Sequence, residues 1–186
     1  MSGTRDARQR VMHATVELLY EGGLRAAAPA AIAERAGAGK MSLYRHFDGK
    51  DDLVAAALRD YVPTQVERLL GPPDDNSRQR ILAIFDRLAD YAAMGTLNTC
   101  VYVTTRLELA DADHPAALVA TEYKREIAAA LAALLREMDH PDPDSTARVI
   151  SMLIDGAAVH ALIAGDPGPI RDARRAVQAL LGPAEV

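Results

Sequence analysis

Apolar residues recur along this chain at intervals of three and four, and glycine or proline interrupts the pattern at each break. Between residues 5 and 21, Val11, Ala14, Leu18 and Leu19 fall on one face of a helix. Gly22 and Gly23 end that helix, because glycine takes the left-handed conformation that closes one. Pro29 suits the first position of a second helix, over about 29 to 36, since its missing N–H would have had no partner there. Gly37-Ala38-Gly39 makes a turn, and a third helix covers about 40 to 46. The polar stretch Asp48 to Asp52 starts a fourth near residue 50, which continues to about Leu70, where Gly71-Pro72-Pro73 breaks it. Pro63 falls inside this span and is expected to kink or divide it, because its ring removes a backbone hydrogen bond and clashes with the preceding turn.

Downstream, Ile81, Ile84, Phe85, Leu88 and Tyr91 form the inner stripe of a helix over about 77 to 94. The β-branched run Val101 to Thr105 would suit a strand. An isolated strand would leave its backbone groups unpaired, and no partner strand is visible, so 97 to 110 is expected to be helical. Pro115 opens a helix to about 138 with Leu118, Ile127, Leu131, Leu134, Leu135 and Met138 inward. An eighth runs from Ser145 to Gly165, and Asp166-Pro167 starts a ninth, with Ile170, Ala173, Val177, Leu180 and Leu181 as its stripe. The pattern predicts an all-α chain of about nine helices.

Two short helices joined by a glycine-containing turn and framed by longer ones form a helix-turn-helix unit. Its second helix lies in the run Ala36 to Phe47, AGAGKMSLYRHF, with Leu43 and Phe47 on the inner side and donors outward. A short helix so divided can enter a DNA major groove. Residues 1–49 are therefore expected to be a DNA-binding domain and 50–186 a separate helical body.

Composition is that of a globular protein rich in alanine, which favours helices: 49% of residues are apolar, 4% aromatic, and there is no tryptophan. The net charge of −5 divides unevenly, with +3 over residues 1–47 and −8 over the remainder, a basic end suited to phosphate and an acidic body held away from it. The single cysteine, Cys100, can form no internal disulfide and no cysteine-based zinc cluster. No stretch reaches the roughly 20 uninterrupted apolar residues of a membrane span, and the start lacks a secretion signal. A cytoplasmic location is expected.

Over Ile32 to Leu53, IAERAG, the turn, LYRHF and KDDL stand in the order and spacing of the TetR family of bacterial transcriptional regulators, which this chain resembles. The late run LIDGAAVHALIAGDP is a weaker likeness. The resemblance implies a three-helix DNA-binding domain, a helical domain that binds a small effector, and a homodimer on a palindromic double-stranded operator. It implies that Lys40, Met41, Ser42 and Arg45 face bases, and that Tyr44, His46 and Lys50 contact phosphate. The chemistry of these residues agrees: Arg and Lys pair with guanine O6 and N7, Met41 can touch a thymine methyl, and the others donate to phosphate oxygens. Three departures stand out: Ala26-Ala27-Ala28 before Pro29 and Gly39 before Lys40 replace the usual hydroxyl caps, and Ala30 replaces a side chain that contacts DNA in some members.

Helix 8 is apolar around most of its circumference, so it needs neighbours on all sides, and a second subunit is the natural source. Met152, Gly156, Val159 and Ile163, with Val177, Leu180 and Leu181 of helix 9, are the expected dimer interface. Polar or polarizable residues on otherwise apolar helices mark a candidate effector pocket: Tyr91, Met94, Cys100, Tyr102, Arg106, Tyr123 and His160. Glu137 and His140 have the spacing of a di-iron pair, but the second pair and two further glutamates that such a site needs are not evident. No metal, cofactor or catalytic residue is expected, and no nucleophile elbow, P-loop or dinucleotide fingerprint is present. The alternatives to an effector-released repressor are a DNA-binding dimer without an effector and, less favoured, a helical-bundle enzyme.

Overall fold

The computed structural model describes residues 2–72 and 76–183, with side chains from residue 7 onward; Pro73 lies outside them. Among the described residues the chain forms nine α-helices and no strand: α1 (Ser2–Ala26), α2 (Pro29–Arg35), α3 (Lys40–Tyr44), α4 (Lys50–Leu70), α5 (Ser77–Ala93), α6 (Val101–Glu108), α7 (Pro115–Arg136), α8 (Pro143–Ala164) and α9 (Gly168–Leu180). Residues 101–108 are helical, as backbone pairing demands, but only for eight residues. Pro63 does not divide α4, which runs through it. The glycine pair interrupts α1 with non-helical dihedrals at Gly22 and Gly23, and one further turn follows to Ala26.

The chain groups into two compact units, residues 1–63 with 100–124, and residues 64–99 with 125–186. The grouping changes after Pro63, between α5 and α6 and again within α7 after Lys124, and residue 49 lies inside the first unit.

In the first unit, α1, α2 and α3 bury Val11, Leu18, Leu19, Ile32, Leu43 and Phe47, and α4 adds Leu53, Val54 and Leu58. Burying a side chain of this size contributes about 1.5–3 kcal/mol, which allows a chain segment with short helices to hold its shape. Tyr102 of α6 and Tyr123 of α7 stack with ring centroids 3.9 Å apart, and the Tyr102 hydroxyl donates to the Leu58 carbonyl at 2.9 Å. The side chain of Leu118, expected inward, is exposed.

In the second unit α9 packs against α5 and α8, burying Ile81, Ile84, Phe85, Ile150, Ile154, Ile170, Ala173 and Val177. Helix ends here are closed by guanidinium groups, which suit carbonyls left without intrahelical partners. Arg78 donates to the Leu181 carbonyl at 3.0 Å and the Gly182 carbonyl at 2.6 Å, and Arg87 donates to the Leu69 carbonyl at 2.5 Å. Arg174 holds Asp86 through two bonds of 2.7 and 3.2 Å, joining α9 to α5. By length and composition alone α8 is long and apolar enough to cross a bilayer, beyond what uninterrupted apolar runs had implied, yet Ile150, Ile154, Ala157 and Ala161 are buried in this unit and Arg148 and Asp155 interrupt it.

Candidate nucleic-acid interface

The turn between α2 and α3 is built from backbone bonds. Gly37 stands at φ 59°, and its N–H donates to the Glu34 carbonyl at 3.1 Å while the Ala38 N–H donates to the Ala33 carbonyl at 2.9 Å. This paired closure needs a left-handed residue just past the helix, which glycine supplies without strain. Neither α2 nor α3 has a side-chain cap at its start, where Ala28 and Gly39 stand. Replacing a hydroxyl cap by alanine costs about 1 kcal/mol. Tertiary ties offset it: Arg10 of α1 donates to the Ala36 carbonyl at 3.3 Å, and Arg35 of α2 holds Glu21 of α1 by two bonds of 2.7 and 2.9 Å. The Arg35 hydrogen bond, with its positive charge, holds the Glu21 carboxyl below the usual carboxylate range, and Glu21 raises Arg35 in turn.

From that base α3 divides by residue. Leu43 and Phe47 are buried, with the Arg8 guanidinium 5.1 Å from the Phe47 ring centroid. Lys40, Met41, Tyr44 and Arg45 are exposed, Met41 by 76%. A methionine so exposed contributes little to the core of its own unit. Ser42 and His46 are half-buried, His46 lying edge-on to Phe47.

A shallow cleft lined by Pro29, Leu43, Phe47 and Leu53 brings Tyr44 and Lys50 together although they lie on different helices. Lys50 is half-buried, and its Nζ donates to the Leu24 carbonyl at 2.6 Å. The next residue of α4, Asp51, meets His114 Nε2 at 3.3 Å. All seven residues expected at DNA thus lie in α3, just after it, or at the start of α4. Sequence reasoning missed Arg8, Arg10, Glu108 and His114, whose partners are distant in the chain; no local motif marks them.

The residues of the other expected sites are placed as follows by unit. Of the candidate pocket, Cys100, Tyr102, Arg106 and Tyr123 belong to the first unit, and Tyr91, Met94 and His160 to the second. Tyr102 and Tyr123 are buried against each other, Arg106 donates to the Leu109 carbonyl at 3.1 Å, and Cys100 is half-buried at the start of α6. Tyr91 sits under the Arg68 guanidinium at 4.6 Å. Met94 is 63% exposed and His160 is also exposed, so neither lines the interior of its unit. On α8, Met152, Val159 and Ile163 are exposed, as is Leu180 of α9; Ile163 is 77% exposed. Gly156 is open, with nothing within 4 Å of where a Cβ would stand. Val177 and Leu181 depart from the interface expectation: both are buried in their own unit, where the helical period turns them toward α5 and α8. Among the described residues no group of three or more His, Cys, Asp and Glu could hold a metal. Glu137 accepts from Ser77, and His140 Nε2 lies 3.1 Å from the Leu180 carbonyl, so this pair has structural partners.

A helix-turn-helix with its polar face outward, carried on an all-helical chain, defines a DNA-binding regulator. Residues 11–57 match the N-terminal domain described as "Bacterial regulatory proteins, tetR family", and residues 77–183 match the "Tetracyclin repressor-like, C-terminal domain". The chain belongs to the TetR family of bacterial transcriptional regulators. A crystal structure of a putative TetR transcriptional regulator (sav143) of Streptomyces avermitilis MA-4680 is similar at a TM-score of 0.80 and 31% identity, over 92% of this chain and 98% of that one. The reduced form of Escherichia coli NemR shares the fold at a TM-score of 0.86 and 22% identity, over 97% and 100% of the two chains. The HTH-type transcriptional repressor KstR of Rhodococcus jostii (strain RHA1) is 32% identical over 84 residues, which span 45% of this chain and 40% of that protein.

Proposed function

We propose that this regulator is a homodimeric repressor that binds a palindromic operator in the cytoplasm and leaves it when a small molecule binds the helical body. Residues 1–49 supply the DNA-docking portion and residues 50–186 the effector-binding and dimerising portion. The observation that carries the reading is the outward stand of Lys40, Met41, Tyr44 and Arg45 over buried Leu43 and Phe47. Arg45, Lys40, Met41 and Ser42 read base edges, while Tyr44, His46 and Lys50 hold phosphates and fix the register.

The exposed stripe of Met152, Val159, Ile163 and Leu180, with Gly156 open beside it, is the surface that a second copy covers. A face of that kind on a soluble protein marks an interaction site. Pairing through it gives two recognition helices, hence an inverted-repeat operator. The effector acts by favouring one separation of the two DNA-binding ends, and shifts the equilibrium only by its preference between the states. The buried ring stack of Tyr102 and Tyr123, with the Tyr102 hydroxyl bonded to the Leu58 carbonyl, favours a second reading: a DNA-binding dimer that needs no effector.

Genomic fragments captured by the protein, followed by mobility-shift titration of the recovered motif, test the docking surface. Tyr44→Ala and Lys50→Ala should weaken every fragment and flatten the salt dependence, whereas Arg45→Ala should change which sequence is preferred. Three variants that bind as wild type does would show that DNA docks elsewhere.

A further inference from the structure

The break in α1 receives a carboxylate from the far end of α6. Gly23 stands at φ 65° and ψ −158°, a region open essentially to glycine alone. A Cβ there would lie 1.9 Å from Glu108 Oε1 and 2.7 Å from its Cδ, so only glycine lets the carboxylate reach the backbone. The Leu24 N–H donates to Glu108 Oε2 at 2.7 Å, across 84 residues of sequence. The carbonyl of the same residue accepts from Lys50 Nζ at 2.6 Å. Leu24 is therefore held at its N–H by a negative group and at its carbonyl by a positive one. Bonds to charged groups are about twice as strong as neutral ones. Two adjacent glycines give this part of the backbone more freedom than any other pair would, and the Glu108 bond restrains it together with the Ala27 N–H to Gly23 carbonyl bond of 3.3 Å.

We propose that Glu108 is a positioning residue for DNA docking, aiming the Lys50 ammonium at phosphate through the Leu24 backbone; this rests on the reading that Lys50 contacts phosphate. An ammonium has three donors, so one bond to the Leu24 carbonyl leaves two for a phosphate while removing much of the freedom of a long side chain. Without Glu108 the Leu24 carbonyl turns with the glycine pair, and Lys50 loses its aim.

The sign of the effect separates this role from ordinary electrostatics. Removing an acid from a DNA-binding protein should tighten binding by charge alone, whereas here Glu108→Ala should loosen it. The test uses the full chain and the duplex that wild-type protein selects from a random library, titrated over a range of salt. Glu108→Ala should weaken binding about five- to tenfold and lower the salt slope by up to about 0.9, the share of one phosphate contact. Glu108→Gln, which keeps an acceptor oxygen, should restore most of the affinity. Glu108→Asp, which keeps the charge but falls a methylene short, should not. In a Lys50→Ala background, Glu108→Ala should cost nothing more.

Glu108 is exposed, so the substitutions should leave the unfolding temperature close to wild type. If Glu108→Ala does lower it, the Asp and Gln pair carries the test, because both keep a polar side chain at this position. Equal or tighter binding by Glu108→Ala and Glu108→Asp, or a loss that adds in full to that of Lys50→Ala, overturns the proposal while leaving the docking surface in place. Wild-type affinity in both Tyr44→Ala and Lys50→Ala overturns the docking surface, and the proposal with it.

Discussion

The short helices around the turn and the helices α8 and α9 use their apolar residues differently. Around α3 the apolar side chains Leu43 and Phe47 go inward and the exposed ones are polar, Met41 excepted. On α8 and α9 the apolar residues divide, with Ile150, Ile154 and Val177 inward and Met152, Val159, Ile163 and Leu180 outward. The first arrangement specifies a surface by the chemistry of single residues. The second specifies one by shape and area, in which any residue matters mainly through the water it excludes.

Substitutions can break this contrast. The largest effect is expected at Phe47→Ala, which empties a buried position beneath α3 and should cost about 3–5 kcal/mol in denaturant unfolding, taking DNA binding with it. Met41→Ala on the same helix should leave stability unchanged. Next, Met152→Asp combined with Ile163→Asp places charges where a second copy would bury them, at several kcal/mol. The pair should raise the dimer dissociation constant at least about a hundredfold by light scattering, with the monomer still folded.

Arg45→Ala comes third, with a loss of about 1–3 kcal/mol of discrimination at one position of the operator, read from competition between duplexes. Tyr102→Phe should cost about 1 kcal/mol of stability by removing the bond to the Leu58 carbonyl; a larger shift in any ligand response than in stability would speak for the tyrosine pair as an effector contact. The smallest effect belongs to Glu21. Its carboxyl is held below the ordinary value of 4.5 by Arg35, so its contribution is complete above that value and is lost as pH falls through the lowered one. Glu21→Gln should flatten stability against pH on the acid side alone, measured by thermal unfolding from pH 7 downward.

Much of the helix-turn-helix could be read in advance because its signals are local. Glycine, proline and the period of apolar residues mark α2, the turn and α3 within some 20 positions, and each outward residue follows from its offset to Leu43 and Phe47. Exposure on α9 was harder, since Val177, Leu180 and Leu181 share one stripe in the sequence while only Leu180 faces outward. Which part of a wide stripe stays exposed depends on where α5 and α8 pack. The candidate pocket is less legible for a related reason: polar residues on apolar helices mark positions, not neighbours, and the seven belong to two different units. Glu108 carries no local signal, because its partner lies 84 residues away.

In the proposed complex α3 of each of two copies enters the major groove of one duplex. Selection of duplexes from a random library by the wild-type protein tests it most directly. An enriched inverted repeat is expected, its half-site centres separated by about one helical turn or a multiple, roughly 34–36 Å each, with the preferred base changing in both halves for Arg45→Ala. Enrichment of a single asymmetric site, or a motif that Arg45→Ala leaves untouched, would contradict it.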